Sequence, residues 1–176
     1  RALGPHLDCV SAERIQEELL KLLAAPRPGN YLEPAVLAVV LPELEPEEQL
    51  ERFAELCRTI DRIEPTAENV PTRLAALLWP LGEAGARKAL RKLKCSNALT
   101  DEVTVLEREA LGTPGSEMQL TAKRLLGRYE LPTIQRLTAL CSARHPEQTG
   151  AFAALRAEAE RLTAENACCR VSQLAV

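Results

Sequence analysis

Five cations fall within eight consecutive residues, and their spacing suits contact with phosphate groups. Arg87, Arg91 and Lys94 follow the i, i+4, i+7 spacing of one helical stripe. Lys88 and Lys92 form a second stripe beside it, and the opposite face of this predicted helix is apolar. Lysine and arginine side chains on a helix can follow a phosphate backbone without reading bases. The alternative interpretation is a solvated face that pairs with the abundant glutamates.

A second, smaller group of cations lies on a later predicted helix. Lys123, Arg124 and Arg128 could also contact phosphate, with fewer charges to support the interpretation. Aromatic residues make up only 3% of the chain, which is too few to suggest base stacking. Any contact with a nucleic acid is therefore expected to involve its backbone.

Residues for catalysis do not form a recognisable group. Two-metal nucleotidyl transfer needs clustered carboxylates, but the three aspartates, Asp8, Asp61 and Asp101, each stand alone. Glycine-rich phosphate-binding loops are absent from the sequence. His6 and His145 lie far apart and there is no Cys-x-x-Cys, so a zinc site has little support. We find no complete active site and no metal site in the sequence.

The composition is that of a helical globular protein. Of the 176 residues, 46% are apolar and 27% are charged, and alanine, leucine, glutamate and arginine dominate. The net charge of −3 means that anion binding must come from a local patch. Six scattered cysteines indicate reduced thiols and a cytoplasmic location. No apolar stretch is long enough to predict a membrane span.

Hydrophobic spacing predicts an all-α fold, an irregular array of about nine short helices without a sheet. Ser11 is predicted to cap the first helix, and Ser96 a later one. Residues 35–41 predict a short buried helix, and residues 73–79 predict a helix at the centre of the core. The helix that carries the five cations is predicted over residues 84–94.

The segment SAERIQEEL at residues 11–19 resembles the Ser-x-Glu-Arg-Ile-x-x-Glu-Leu segment of the class II tRNA nucleotidyltransferase and poly(A) polymerase family. Further stretches of the chain are similar to the family in the same order. They are the apolar run ending in Leu-Pro-Glu-Leu (38–44), the core helix (73–78), the Leu-Lys-x-Ser-Asn stretch (90–97) and the segment before the tail (171–176).

The resemblance implies a division of labour along a longer parent chain. A head with metal-binding carboxylates would be followed by a neck that selects the nucleotide, and by a body and tail that hold tRNA. Residues 1–28 would then be the end of the neck and the first body helix, residues 29–112 the helical body, and residues 113–176 a body and tail region truncated at its C-terminus. The expected partners of this chain are tRNA and the head and neck of the same parent.

The parent implied by the resemblance adds CMP and AMP to tRNA 3′ ends, as C, C and A or only some of these, using CTP, ATP and Mg²⁺ in its head. A poly(A)-adding parent stays open as an alternative. The chain itself is expected to hold no cofactor and to be inactive alone. Trp79 and Pro80 stand where some relatives carry a His-Asp phosphohydrolase site, so the resemblance predicts no phosphohydrolase activity.

Four residues of the first similar segment carry a predicted structural role. They would cap a helix, and Arg14 would connect the neck to the body. Simple helix capping is the alternative. These residues are Ser11, Glu13, Arg14 and Glu18.

A different class of function also stays open, an α-helical protein–protein interaction scaffold with no role in RNA binding. The net negative charge and the glutamate-rich helices at residues 43–58 and 156–165 favour this alternative.

Overall fold

The computed structural model describes residues 11–63, 69–109 and 117–173, and the side chains of the last helix as far as Asn166. His6, Asp8, the predicted boundary at residues 112–113 and the last three residues lie outside these ranges. Every regular element within them is helical, which confirms the all-α prediction. The helices are α1 (Ala12–Ala24), α2 (Pro34–Val40), α3 (Pro46–Ile63), α4 (Val70–Leu78), α5 (Gly82–Lys92), α6 (Asn97–Arg108), α7 (Met118–Leu126), α8 (Leu131–Arg144) and α9 (Thr149–Gln173).

The described residues form two compact units, one up to Glu109 and one from Glu117 onward. In the second unit, α9 packs against α7 and α8. In the first unit, α4 packs against α1, α3, α5 and α6. Because α4 packs against four helices, its residues 74–78 are fully buried, which confirms the predicted central helix.

Local signals set several of the helix ends. The hydroxyl of Ser11 accepts a hydrogen bond from the Arg14 N–H at 3.3 Å, and Ser96 accepts one from the Leu99 N–H at 3.2 Å. Such caps satisfy backbone donors that have no partner within the helix. The residue pair Trp79-Pro80 begins a short 3₁₀ turn that separates α4 from α5.

A buried arginine joins three elements of the first unit. Arg73 on α4 donates to the Asp61 carboxylate on α3 at 2.5 and 3.0 Å. The same guanidinium donates to the carbonyls of Leu23 and Ala25 at the end of α1, at 2.5 and 3.0 Å. The last carbonyls of a helix have no partner within the helix, so Arg73 serves as a cap supplied from another part of the chain.

Candidate nucleic-acid interface

Helix α5 is displaced by two residues from its prediction, and this changes the position of one predicted cation. The helix runs from Gly82 to Lys92, whereas the spacing of the cations predicted residues 84–94. Lys94 therefore lies beyond the helix, in the left-handed conformation with a φ of 55°. The N–H of Lys94 donates to the Arg91 carbonyl and the N–H of Cys95 donates to the Leu90 carbonyl, both at 3.0 Å. This pair of bonds is the Schellman helix ending, which most often places glycine where this chain has Lys94.

The apolar face of α5 is buried at Ala86, Ala89 and Leu90, as the sequence predicted. Four of the five predicted cations are exposed to solvent. Two of them, Arg91 and Lys92, lie in the last turn, where the helix dipole favours a cation in any protein. We define the α5 basic end as the exposed cations Lys88, Arg91, Lys92 and Lys94.

The fifth predicted cation, Arg87, is engaged within the fold. Its side chain is 30% exposed and donates to the Asp101 carboxylate at 3.2 Å and to the Thr104 hydroxyl at 2.9 Å, both on α6. It also lies 4.0 Å from the Glu83 carboxylate. The predicted stripe of Arg87, Arg91 and Lys94 is therefore not continuous, because Arg87 ties α5 to α6 and Lys94 has left the helix.

Two cations of the α5 basic end pair with the N-terminal part of the chain. Lys94 Nζ lies 2.5 Å from Glu13 Oε1 on α1, and Lys92 Nζ lies 4.0 Å from Glu43 Oε1 after α2. The hydrogen bond from Lys94 lowers the pKa of the Glu13 carboxyl. All four side chains are more than a third exposed, so these pairs contribute little stability and leave the cations open to solvent. In the part of the chain that the structure describes, Lys88 and Arg91 have no ion pair.

The four residues with a predicted structural role, Ser11, Glu13, Arg14 and Glu18, lie at the start of α1 or within it. Ser11 caps the helix as predicted, and Glu13 occupies its first turn. Glu18 pairs with Lys21 at 2.8 Å, which lowers the pKa of Glu18. Arg14 is exposed, and its predicted tie between neck and body stays a prediction.

The second predicted group of cations belongs to the second unit. Lys123 and Arg124 lie in the last turn of α7, and Arg128 follows the end of that helix; all three are exposed. The hydrogen bond from Arg161 lowers the pKa of the Glu158 carboxyl on α9, and the charge of the Lys123 ammonium lowers it further. Phosphate contact at these three residues stays a prediction.

Sequence reasoning missed the partners of the α5 basic end. Glu13 and Lys94 are 81 residues apart, and no periodicity links them. The one available signal was the apolar spacing of α1 and α4, which indicates that both helices pack in the same core. Elements that neighbour these two helices in sequence are then expected to lie near each other. Within residues 11–63, 69–109 and 117–166, no group of three acidic, histidine or cysteine side chains could hold a metal ion.

No helix in the described ranges has the length and apolar character that a bilayer crossing requires. Among the same residues, Cys57 and Cys95 form no disulfide. Burial raises the pKa of the Cys57 thiol to about 12, so this cysteine is an unreactive core residue.

Lys94 offers a test that separates fold from binding, because glycine is the residue that its backbone conformation favours. A left-handed residue other than glycine costs about 1–2 kcal/mol, and Lys94→Gly removes this cost along with the exposed pair to Glu13. We expect the free energy of unfolding, measured in urea, to change by less than about 1 kcal/mol. We expect affinity for RNA to fall several-fold. A large loss of stability with unchanged affinity would give Lys94 a purely structural role.

Comparison with known families gives a match over the N-terminal part of the chain. Residues 1–48 match the family model described as the probable RNA and SrmB-binding site of polymerase A. Comparisons with curated proteins and with solved structures give no match. The matched residues include the similar segments at 11–19 and 38–44, and they contain Glu13 and Glu43. The match supports an RNA-binding region like that of polymerase A-type nucleotidyltransferases, and the α5 basic end is paired directly to it.

Proposed function

We propose that this chain is the tRNA-binding helical region of a CCA-adding tRNA nucleotidyltransferase. One observation carries the proposal: the ion pairs of Lys94 with Glu13 and of Lys92 with Glu43 join the α5 basic end to the segment that matches an RNA-binding family model. The ordered resemblance beyond residue 48 supports the same conclusion. The description of the family model favours a second candidate, the same region of a poly(A) polymerase.

The chemistry of the α5 basic end fits the holding of a common RNA shape. Cations that contact phosphate fix the position of a nucleic acid without carrying sequence information. An enzyme that extends every tRNA needs this property, because the tRNAs share a shape and differ in sequence. The guanidinium of Arg91 can bind two phosphate oxygens at once, whereas the ammonium of Lys88 acts as a point charge.

The nucleotide chemistry is assigned to other parts of the parent. The described residues offer no carboxylate cluster that fits Mg²⁺. In this proposal CTP, ATP and Mg²⁺ belong to the head and neck. The residues of this chain bind the tRNA and keep its 3′ end at a fixed distance from the head and neck.

Filter binding with three RNAs tests the proposal. We expect the 176-residue chain to bind a tRNA lacking its CCA end roughly tenfold more tightly than poly(A) of equal length. The affinity should fall steeply as salt rises, since each phosphate contact releases counterions. A scrambled, unfolded RNA of the tRNA's length serves as the control for charge alone.

Two other results of the filter-binding experiment would each favour an alternative function. Equal or tighter binding of poly(A) would overturn tRNA as the RNA and favour the poly(A) polymerase region. No binding of any RNA at low salt would overturn the proposal and leave the protein–protein scaffold.

A further inference from the structure

A groove of about 810 Å³ lies against α3 in the first unit, and its lining residues include none of the cations that the sequence singled out. One wall is the short 3₁₀ turn Pro28–Asn30, and the other is the C-terminal half of α3. A Cβ at Gly29 would lie 2.7 Å from the Ala54 Cβ, so only glycine lets the turn pack this closely on the helix. The close approach fixes the two walls relative to each other.

Three arginines line this groove: Arg58 and Arg62 from one face of α3, and Arg27 from the segment before the turn. Arg58 donates to the Ala54 carbonyl at 3.3 Å, and Arg62 donates to the Thr59 hydroxyl at 3.1 Å. These are neutral acceptors, and in the described part of the chain none of the three arginines has an ion pair. Their charges are therefore available to an anion in the groove.

The carboxylates of the groove do not cancel this charge. Asp61 lines the groove, but it accepts two hydrogen bonds from the buried guanidinium of Arg73, which compensates its charge. Glu55 is the other carboxylate among the lining residues. Three arginines against one uncompensated carboxylate leave the groove positive.

The backbone holds one of these arginines at a conformational cost. Arg27 has a φ of 53° and a ψ of 58°, the left-handed conformation that favours glycine. Such residues persist where the surrounding structure fixes them, and they occur often at ligand-binding sites. Here Arg73 holds the Ala25 carbonyl two residues earlier, and Gly29 anchors the turn two residues later.

An exposed aromatic ring adjoins the turn. Tyr31 follows the turn directly and is 61% exposed, one of the few large apolar side chains on the surface of the described residues. The low aromatic content predicted contact with the RNA backbone alone, but the base of an unpaired nucleotide can stack on an exposed ring of this kind. An arginine-lined groove whose turn leads directly into a residue with an exposed ring suits a nucleotide of an RNA chain better than an isolated inorganic anion.

We propose that this groove is a second RNA-binding site, in which Arg27, Arg58 and Arg62 hold a backbone phosphate beside the exposed ring of Tyr31. The inference rests on the proposed function, since it extends the RNA contact from the α5 basic end to the turn after α1. The turn lies inside the segment that matches the RNA-binding family model, and α3 begins inside it.

The test compares two double variants with a matched control by filter binding of tRNA. Arg58→Ala/Arg62→Ala removes two groove charges from an exposed helix face, and alanine preserves the helix. Arg52→Ala/Arg161→Ala removes two charges that glutamates already pair and that lie outside the groove lining. We expect the groove variant to weaken binding roughly tenfold and to lower the salt slope by about 2. The control should bind like the wild type.

The outcomes separate this inference from the proposed function. If Lys88→Ala/Arg91→Ala weakens binding and the groove variant does not, the groove inference fails and the function stands. If the wild type binds no RNA, both fail. Thermal unfolding checks that each variant is folded, and Tyr31→Ser should weaken binding of a single-stranded RNA.

Inorganic phosphate provides the last arm of the test. Amide resonances of residues 27–31 and 58–62 are followed by NMR while phosphate, and then tRNA, is added. We expect tRNA to shift these resonances and millimolar phosphate to compete weakly. Shifts with phosphate that tRNA neither reproduces nor displaces would make the groove a small-anion site and overturn the assignment to RNA.

Discussion

Replacing Lys88 and Arg91 together with alanine is expected to weaken tRNA binding by roughly tenfold or more at low salt. Both cations are exposed, and neither has an ion pair in the described residues, so their charge is open to phosphate. The plot of log affinity against log salt should become shallower by about 2, one for each lost contact. The fold should survive, because alanine is the strongest helix former and both side chains lie on the solvent face of α5.

The control for this variant is Arg87→Ala. Arg87 donates to Asp101 and Thr104 on α6, so its loss should lower stability while changing the salt slope little. Filter binding at several salt concentrations measures the affinity, and urea unfolding measures the stability. Equal tRNA affinity for the wild type and the Lys88→Ala/Arg91→Ala variant would remove the α5 basic end from the binding surface.

Replacing Arg73 with methionine is expected to lower the free energy of unfolding by about 3–5 kcal/mol, the usual cost of removing one partner of a buried ion pair. Only 6% of the Arg73 side chain and 27% of the Asp61 side chain are exposed. The substitution leaves the Asp61 carboxylate without its partner and two carbonyls at the end of α1 without their donor. Urea unfolding, followed by circular dichroism, measures the loss.

The paired substitution Arg73→Met/Asp61→Leu serves as the control. Because it removes both charges, it should recover part of the stability that Arg73→Met loses. The carbonyls of Leu23 and Ala25 stay without a donor, so recovery should be incomplete. A loss below about 1 kcal/mol for Arg73→Met would show that Arg73 does not hold α1 to α4.

Helix boundaries were largely predictable because their causes are local. Ser11 and Ser96 precede the helices that they cap, and the short α2 begins at a proline. The buried run of α4 predicted its central place in the core. The end of α5 was predicted two residues late, because a lysine occupies the left-handed position where glycine usually marks a helix end.

The site was less predictable because it depends on contacts between distant residues. The cations of α5 could be found from their spacing, but spacing could not show that Arg87 is engaged by α6 or that Lys94 reaches Glu13. Arg58 and Arg62 stand at i, i+4 on α3, yet the third arginine of the groove is far away in sequence. Only the packed fold brings such residues together.

The central claim is that RNA binds where the α5 basic end meets the segment matched by the RNA-binding family model. Titration of the ¹⁵N-labelled 176-residue chain with a tRNA acceptor-stem minihelix, followed by NMR, tests it most directly. The largest shifts are predicted at residues 88–95 and 11–14. Saturable binding with shifts confined to residues 117–166, or no shifts at a concentration where filter binding is complete, would contradict it.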